Sequence, residues 1–232
     1  MRLNPPPDPA VLFSDPWLLA VDKPAGLLSQ PGLGPEQADA VAGRLVARWG
    51  PLHLVHRLDR DTSGLLLLAR DAASHRSLSL AFAERRMEKM YLADVLGNPG
   101  TAGRIERPLR RASRRPPRYR VDPAGRPSRT DWRRLETHPG WSRLELRPLT
   151  GRSHQLRVHL AWLGHPLLGD PLYGNSRSRG LASRLRLHAA RLAFDHPVSG
   201  ARIELSSPAP WLRADRLGAD QPFSSSSWAK RL

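Results

Sequence analysis

An unbroken apolar run, Leu65 to Ala69, follows directly on the charged stretch His56-Arg57-Leu58-Asp59-Arg60-Asp61-Thr62-Ser63-Gly64. So short an apolar run after Thr-Ser-Gly reads as a buried strand. A buried strand entered from a charged loop ties the fold to the chemistry: whatever the loop does, it does at the end of a core element. Asp59 lies two residues from Arg57 and next to Arg60. Cations this close favour the charged form of a carboxylate, and an ionised, positioned Asp serves as nucleophile or base. Asp61 reads as a structural loop residue. Taken alone, the stretch is also what a surface Arg/Asp loop looks like.

Other segments show the same alternation of short strands and helices. Trp17 to Val21 reads as a strand, turned by Asp22-Lys23-Pro24-Ala25-Gly26. Gln37 to Trp49 has helical spacing, with Val41, Leu45 and Trp49 at i, i+4, i+8. Asp71 is placed to cap a helix running to about Arg86, and Met90 to Leu96 alternates as a strand. Arg129–Glu136 and Trp141–Pro148 flank Thr137-His138-Pro139-Gly140 and read as a hairpin, as do the segments from Arg191 to Leu205 about Pro197-Val198-Ser199-Gly200. Hairpins pair antiparallel. The expected fold is therefore mixed α+β, a largely antiparallel sheet flanked by helices and loops. Three regions are expected: a Pro-rich, extended or loose arm over residues 1–14, one domain over 15–214, and a Ser-rich disordered tail over 215–232.

The formal net charge is +16, and lysine occurs only at positions 23, 89 and 230, so arginine supplies nearly all the cations. A GC-rich genome accounts for the choice of Arg over Lys but not for the excess of cations over carboxylates. Such an excess points to a polyanion, most often nucleic acid. It is densest from Arg104 to Arg120, where Glu106 is the one acid and Pro116-Pro117 interrupts the run. A solvated loop is the plain reading. Crowded like charges repel unless a polyanion neutralises them, which favours RNA contact through Arg110, Arg111, Arg114 and Arg115. The absence of cysteine rules out disulfides and thiolate metal sites. No signal peptide or membrane span is visible, so the protein is expected in the cytoplasm. The pairs His53/His56 and His154/His159 are spaced i+3 and i+5, not the i+4 of helical zinc ligands, so no metal site is expected.

A second constellation, Thr150-Gly151-Arg152-Ser153-His154-Gln155-Leu156-Arg157-Val158-His159, follows the first hairpin. Ser153 is the expected N-cap of a helix ended by Gly164-His165-Pro166, with Leu156, Leu160 and Leu163 as its buried stripe. Arginine in a first turn opposes the helix dipole, so Arg152 and Arg157 there suggest a partner. These stretches together resemble the pseudouridine synthases of the type represented by bacterial RluA. The family carries His-Arg-Leu-Asp, Gly-Arg-Ser/Thr-His-Gln-Leu/Ile-Arg-x-His, an Asn/Asp-Lys-Pro-x-Gly opening, a Lys-x-Tyr matched by Lys89-Met90-Tyr91, a Gly-His-Pro-x-x-Gly-Asp block matched at Gly164–Asp170, and a late Leu-His-Ala matched at Leu187–Ala189. The resemblance runs in order from about Trp17 to Trp211, and several motifs in order are far more specific than one.

The resemblance implies isomerisation of uridine to pseudouridine in RNA, with the pseudouridine synthase fold and its full strand count. Asp59 would be the nucleophile, Arg157 its ionic partner and Tyr91 a ring stacked on the base. His56, Arg57, Arg152 and His154 would join the basic segment in contacting RNA. No cofactor is implied, the substrate would be a stem-loop of rRNA and/or tRNA, and the protein would act as a monomer without the S4 RNA-binding domain that often precedes this catalytic domain. Two other classes fit parts of the pattern: a non-catalytic RNA-binding or ribosome-assembly protein on the same fold, and a glycosidase using Asp59 and Asp61.

Overall fold

The structure, a computed structural model, describes residues 5–32, 34–114 and 116–215. In chain order the elements are β1 (Ala10–Ser14), β2 (Leu18–Lys23), α1 (Val41–Trp49), β3 (His53–Leu54), β4 (Ser63–Ala69), α2 (Ala72–Ala83), β5 (Glu88–Leu96), β6 (Ala102–Glu106), β7 (Leu109–Arg114), β8 (Pro117–Val121), β9 (Arg129–His138), β10 (Trp141–Pro148), α3 (Gln155–Trp162), α4 (Ser176–Gly180), β11 (Leu187–Asp195), β12 (Arg202–Ser206) and α5 (Pro210–Asp215). One sheet runs β1-β2-β4-β11-β5-β10-β9-β6, with β3 added on β4 and β12 on β11. Every pairing is antiparallel except β4 with β11. The expected α+β class and both hairpins are found.

Strand β4 is buried along its whole length, as its apolar run requires. Leu65 to Leu68 pack with Val41 and Leu45 of α1, Leu78 of α2 and Phe194 of β11. Each such leucine contributes about 1.5–3 kcal/mol by leaving water. A second core joins β5, β10 and α3 through Val95, Leu144, Leu146, Leu156 and Leu160. Tyr91 packs against both cores.

The two halves of the sheet meet at the parallel contact of β4 with β11, where Ser63 lies opposite His188 and Gly64 opposite Ala189. Gly64 has φ 112°, and a Cβ there would sit 2.3 Å from the Ala189 carbonyl oxygen. Only glycine fits so close an approach. Beside it, Arg184 donates to Ser63 Oγ at 2.5 Å, Ser63 Oγ is 2.9 Å from His188 Nδ1, and His188 Nε2 is 3.0 Å from the Ser207 carbonyl. A hydroxyl already accepting from Arg184 donates to Nδ1, leaving Nε2–H for Ser207. Burial draws the His188 pKa down to about 4, so the ring is neutral as that network requires.

The local differences from expectation have physical causes. Part of the N-terminal arm is an edge strand, β1, and the residues before it are tied down by Arg44, which donates to Pro6 O at 2.7 Å and Pro7 O at 3.1 Å. The first helix starts at Val41, because a short turn at Pro35–Gln37 comes first. Asp71 caps α2 through Ser74 N at 2.8 Å, but the helix stops at Ala83, ahead of Arg85 at φ 61°. The arginine-rich segment is not a loop. It forms β6 of the main sheet and a separate hairpin, β7–β8, whose polar residues are paired along the backbone. Arg115, and the expected tail from residue 216 onward, lie outside the described residues.

Candidate active site

The loop ahead of β4 is held at its backbone on both sides of Asp59. Ser29 Oγ donates to Leu58 O at 2.9 Å and accepts from Leu58 N at 3.0 Å. Arg60 O accepts from Lys23 Nζ at 3.0 Å and from Gly26 N at 2.8 Å, and Thr62 N donates to Asp59 O at 3.1 Å. Lys23 is fully buried and donates also to Pro24 O and Leu27 O. Burial draws its pKa down to about 7, against the pull of Asp61 and Asp59. Three carbonyl acceptors call for three N–H donors, which the ammonium has and the neutral amine lacks, so Lys23 acts as a charged pin between the turn after β2 and the Asp59 loop.

His56 has a role in the fold that its sequence neighbours do not show. Strand β4 pairs with β11 at its start and with β3 at its end, so the Leu67 N–H between them needs another acceptor. His56 Nε2 accepts it at 3.0 Å, and the ring stacks on Phe82 with centroids 4.7 Å apart. Burial, then Lys89, hold the imidazole down to about pKa 3, hence neutral. The ring thus anchors the loop to β4 while also lining the same cavity as Asp59.

Arg157 faces a second acid besides Asp59. Its hydrogen-bonded partner is Asp170: Nε to Oδ2 at 2.9 Å and Nη2 to Oδ1 at 2.6 Å, a bidentate pair with side chains 2% and 1% exposed. Asp170 also accepts from the backbone N–H of Leu172 at 2.8 Å and Tyr173 at 3.1 Å. Burial opposes the Arg157 charge, but the bonds to Asp170 and the charges of Asp170, Asp59 and Asp61 outweigh it and hold its pKa above the usual. The remaining nitrogen, Nη1, stands 3.8 Å from Asp59 Oδ2. Arg157 is thus clamped from behind and presents one free edge to the Asp59 carboxylate.

The segment before α3 brings a second group to the same oxygen. His154 Nε2 lies 3.9 Å from Asp59 Oδ2. The residue at the helix start is His154, not Ser153, and it adopts the left-handed conformation at φ 56°, ψ 17° with no side-chain cap. That conformation costs a non-glycine residue about 1–2 kcal/mol. Gln155 offsets it by fixing the loop: its Oε1 accepts from Thr150 Oγ1 at 2.6 Å and Arg152 N at 3.1 Å, while Nε2 donates to Arg129 O and Thr130 Oγ1. His159 is buried and serves the fold, bonded to Ser128, Thr130 and the Arg107 carbonyl.

These groups surround a cavity of 460 Å³ over the ends of β4, β5, β10 and β11 and the start of α3. That lies within the roughly 300–1,000 Å³ of small-ligand sites. Among its described lining residues Asp59 is the one carboxylate, against Arg57, Arg85, Lys89, Arg152 and Arg157. Tyr91 forms one wall. Burial, then the Asp59 charge, push its phenol well above the usual range, so it presents a neutral ring. Arg57 and Arg152 are exposed on the rim, with Arg152 donating to Pro127 O at 3.2 Å. Beside the cavity stands the β7–β8 hairpin, with Arg110, Arg111 and Arg114 exposed. It is docked through Tyr119, whose backbone N–H donates to Tyr173 Oη at 2.9 Å.

The fold brings the expected Asp59, Tyr91, Arg157 and His154 together at one cavity. Asp170 and Gln155 stood in the motifs without a role, as did Lys23, and Ser29 and Tyr173 gave no signal. The signal for Asp170 was the unexplained first-turn arginine, which needed an acid that only the tertiary fold supplies. Among the described residues no cluster of three or more His, Cys, Asp or Glu side chains could hold a metal, and no helix is long and apolar enough to cross a membrane.

Comparison with known proteins identifies the family. The family profile described as RNA pseudouridylate synthase matches residues 17–162. The chain is 40% identical over 211 residues to the dual-specificity RNA pseudouridine synthase RluA of Escherichia coli (strain K12), covering 89% of this chain and 96% of that protein. It is 45% identical over 197 residues to an uncharacterized RNA pseudouridine synthase of Chloroflexus aurantiacus, covering 82% of this chain and 62% of that one. Among solved structures, human RNA pseudouridylate synthase domain containing 1 superposes with a TM-score of 0.75 at 30% identity, covering 89% of this chain and 86% of that one. By its match to the family profile over residues 17–162 and its identity to RluA, the chain belongs to the RNA pseudouridine synthase family, isomerases that convert uridine to pseudouridine in RNA.

Proposed function

We propose that Asp59 is the carboxylate that acts on the target uridine, with Arg157 orienting it and Tyr91 stacking on the base. The observation that carries this reading is the clamp: Asp170 occupies the Nε–Nη2 edge of Arg157, and the remaining Nη1 stands 3.8 Å from Asp59 Oδ2. The base must leave C1′, rotate and rejoin through C5, and a base inside a helical stack cannot turn. The nucleotide is therefore flipped into the cavity, and Arg57 on the rim fills the gap it leaves. A phenol held neutral cannot serve as a general base, so Tyr91 acts through its ring. The cationic lining suits the phosphates on either side of the flipped nucleotide.

The substrate is a stem-loop of rRNA and/or tRNA, since loops are where RNA bases are accessible. The protein works on it as a monomer in the cytoplasm. Carbodiimide primer-extension mapping of total RNA, with and without the gene, tests this reading. Loss of at least one pseudouridine from an rRNA or tRNA loop is expected, and an unchanged map sinks it.

Exposed Arg110, Arg111 and Arg114 bind RNA backbone in the same scheme. Changing all three to Gln removes about three phosphate contacts and should lower the slope of log K against log salt by about 2. Fluorescence anisotropy of a labelled stem-loop measures it; an unaltered slope removes the hairpin from the RNA interface.

A further inference from the structure

His154 adopts the left-handed backbone conformation, makes no side-chain cap, and turns its ring toward Asp59. Its two nitrogens have separate partners. Nδ1 lies 2.7 Å from Tyr173 Oη, and Nε2 lies 3.9 Å from Asp59 Oδ2. Tyr173 Oη already accepts the Tyr119 backbone N–H at 2.9 Å. A hydroxyl that accepts from one neighbour has its proton available for the other. A Tyr173 hydroxyl that donates to Nδ1 puts the neutral imidazole's own proton on Nε2, the atom facing the carboxylate. The Tyr119 ring closes the assembly edge-on to His154, with centroids 5.4 Å apart.

We propose that His154 is a positioning residue for Asp59, its tautomer set by the Tyr173 hydroxyl, which the backbone of the basic hairpin holds in place. Arg157 and His154 then converge on the same oxygen, Oδ2, and leave Oδ1 for the nucleotide. The arrangement couples the RNA-binding hairpin to the reacting carboxylate: a hairpin seated on its substrate fixes Tyr119, Tyr119 fixes Tyr173, and Tyr173 fixes the proton that orients Asp59. Burial outweighs the Asp59 charge and lowers the His154 pKa, in keeping with a neutral ring. The inference rests on the reading of Asp59 given above.

Two measurements on the full chain test it. The ¹⁵N shifts of His154 in the wild-type protein report the tautomer directly. Nε2–H is expected, and Nδ1–H overturns the proposal without any variant having to fold. The second measurement is kinetic. His154→Asn tolerates the left-handed backbone, but its amide ends near the Nδ1 position, short of Asp59. Its kcat should fall about 10- to 100-fold with KM within about threefold. His154→Gln reaches the Nε2 position and should restore kcat to within about fivefold of wild type. A kcat for His154→Asn within twofold of wild type overturns the proposal, as does a Gln variant no better than Asn. Asp59→Asn is measured alongside. If it is inactive while His154→Asn is normal, only the positioning role fails; if it keeps its activity, the reading of Asp59 fails as well.

Discussion

Asp59→Asn should lower tritium release from RNA labelled at uridine C5 by at least about 10⁴-fold, the scale on which enzymes lose an acting group. The substitution is nearly isosteric, and the Asp59 side chain is 19% exposed and approached at 3.8–3.9 Å rather than tightly bonded. The backbone restraints from Ser29, Lys23 and Gly26 do not involve its carboxylate. Folding and RNA binding should therefore persist, with a stem-loop Kd within about threefold, because the proposed interface draws its affinity from phosphate contacts of the arginines rather than from Asp59. A variant that releases tritium at even a tenth of the normal rate would remove Asp59 from the chemistry.

Asp170→Ala should be nearly as damaging, for a different reason. It leaves the Arg157 guanidinium buried without its bidentate partner, which costs about 3–5 kcal/mol. It also frees Leu172 N and Tyr173 N of their acceptor, loosening the segment that carries Tyr173. Released from its clamp, Arg157 no longer faces Asp59 in one geometry, and kcat should fall about 10³-fold. Replacing both partners by apolar residues, Arg157→Met with Asp170→Leu, separates the two effects. Buried ion pairs exchanged for well-packed apolar groups often recover stability. Urea unfolding of the double variant should give back most of the lost stability while tritium release stays absent. Recovery of both would make the pair purely structural; recovery of neither would show that the segment has a further role.

The parts of the site visible in the sequence were those lying in short contiguous stretches. Asp59 sits in a loop bounded by a buried strand, and Arg157 and His154 lie within one turn of each other at a helix start. Asp170 was not visible as a partner because it lies 13 residues beyond Arg157 and meets it only after α3 turns the chain back. The anchoring role of His56 was not visible because it is set by which edge of β4 is left unpaired, a property of sheet order rather than of neighbouring residues. The β7–β8 hairpin was hidden by its charge: its strands are mostly exposed, so no apolar alternation marks them, and Pro116-Pro117 imitates a loop. The hairpins of the main sheet were legible because β10 and β11 carry buried apolar faces. Ser153 lost the cap position to His154 because Gln155, not a serine hydroxyl, holds the preceding turn.

The most direct test is stoichiometric. Purified protein is incubated with RNA labelled with tritium at uridine C5, and released tritium, pseudouridine and free uracil are counted from the same digest. One pseudouridine per tritium released, with no free uracil, is expected of a carboxylate that detaches the base and returns it through C5. Free uracil without pseudouridine would mean that Asp59 serves a hydrolase, and binding without either product would leave the fold as an RNA-binding protein alone.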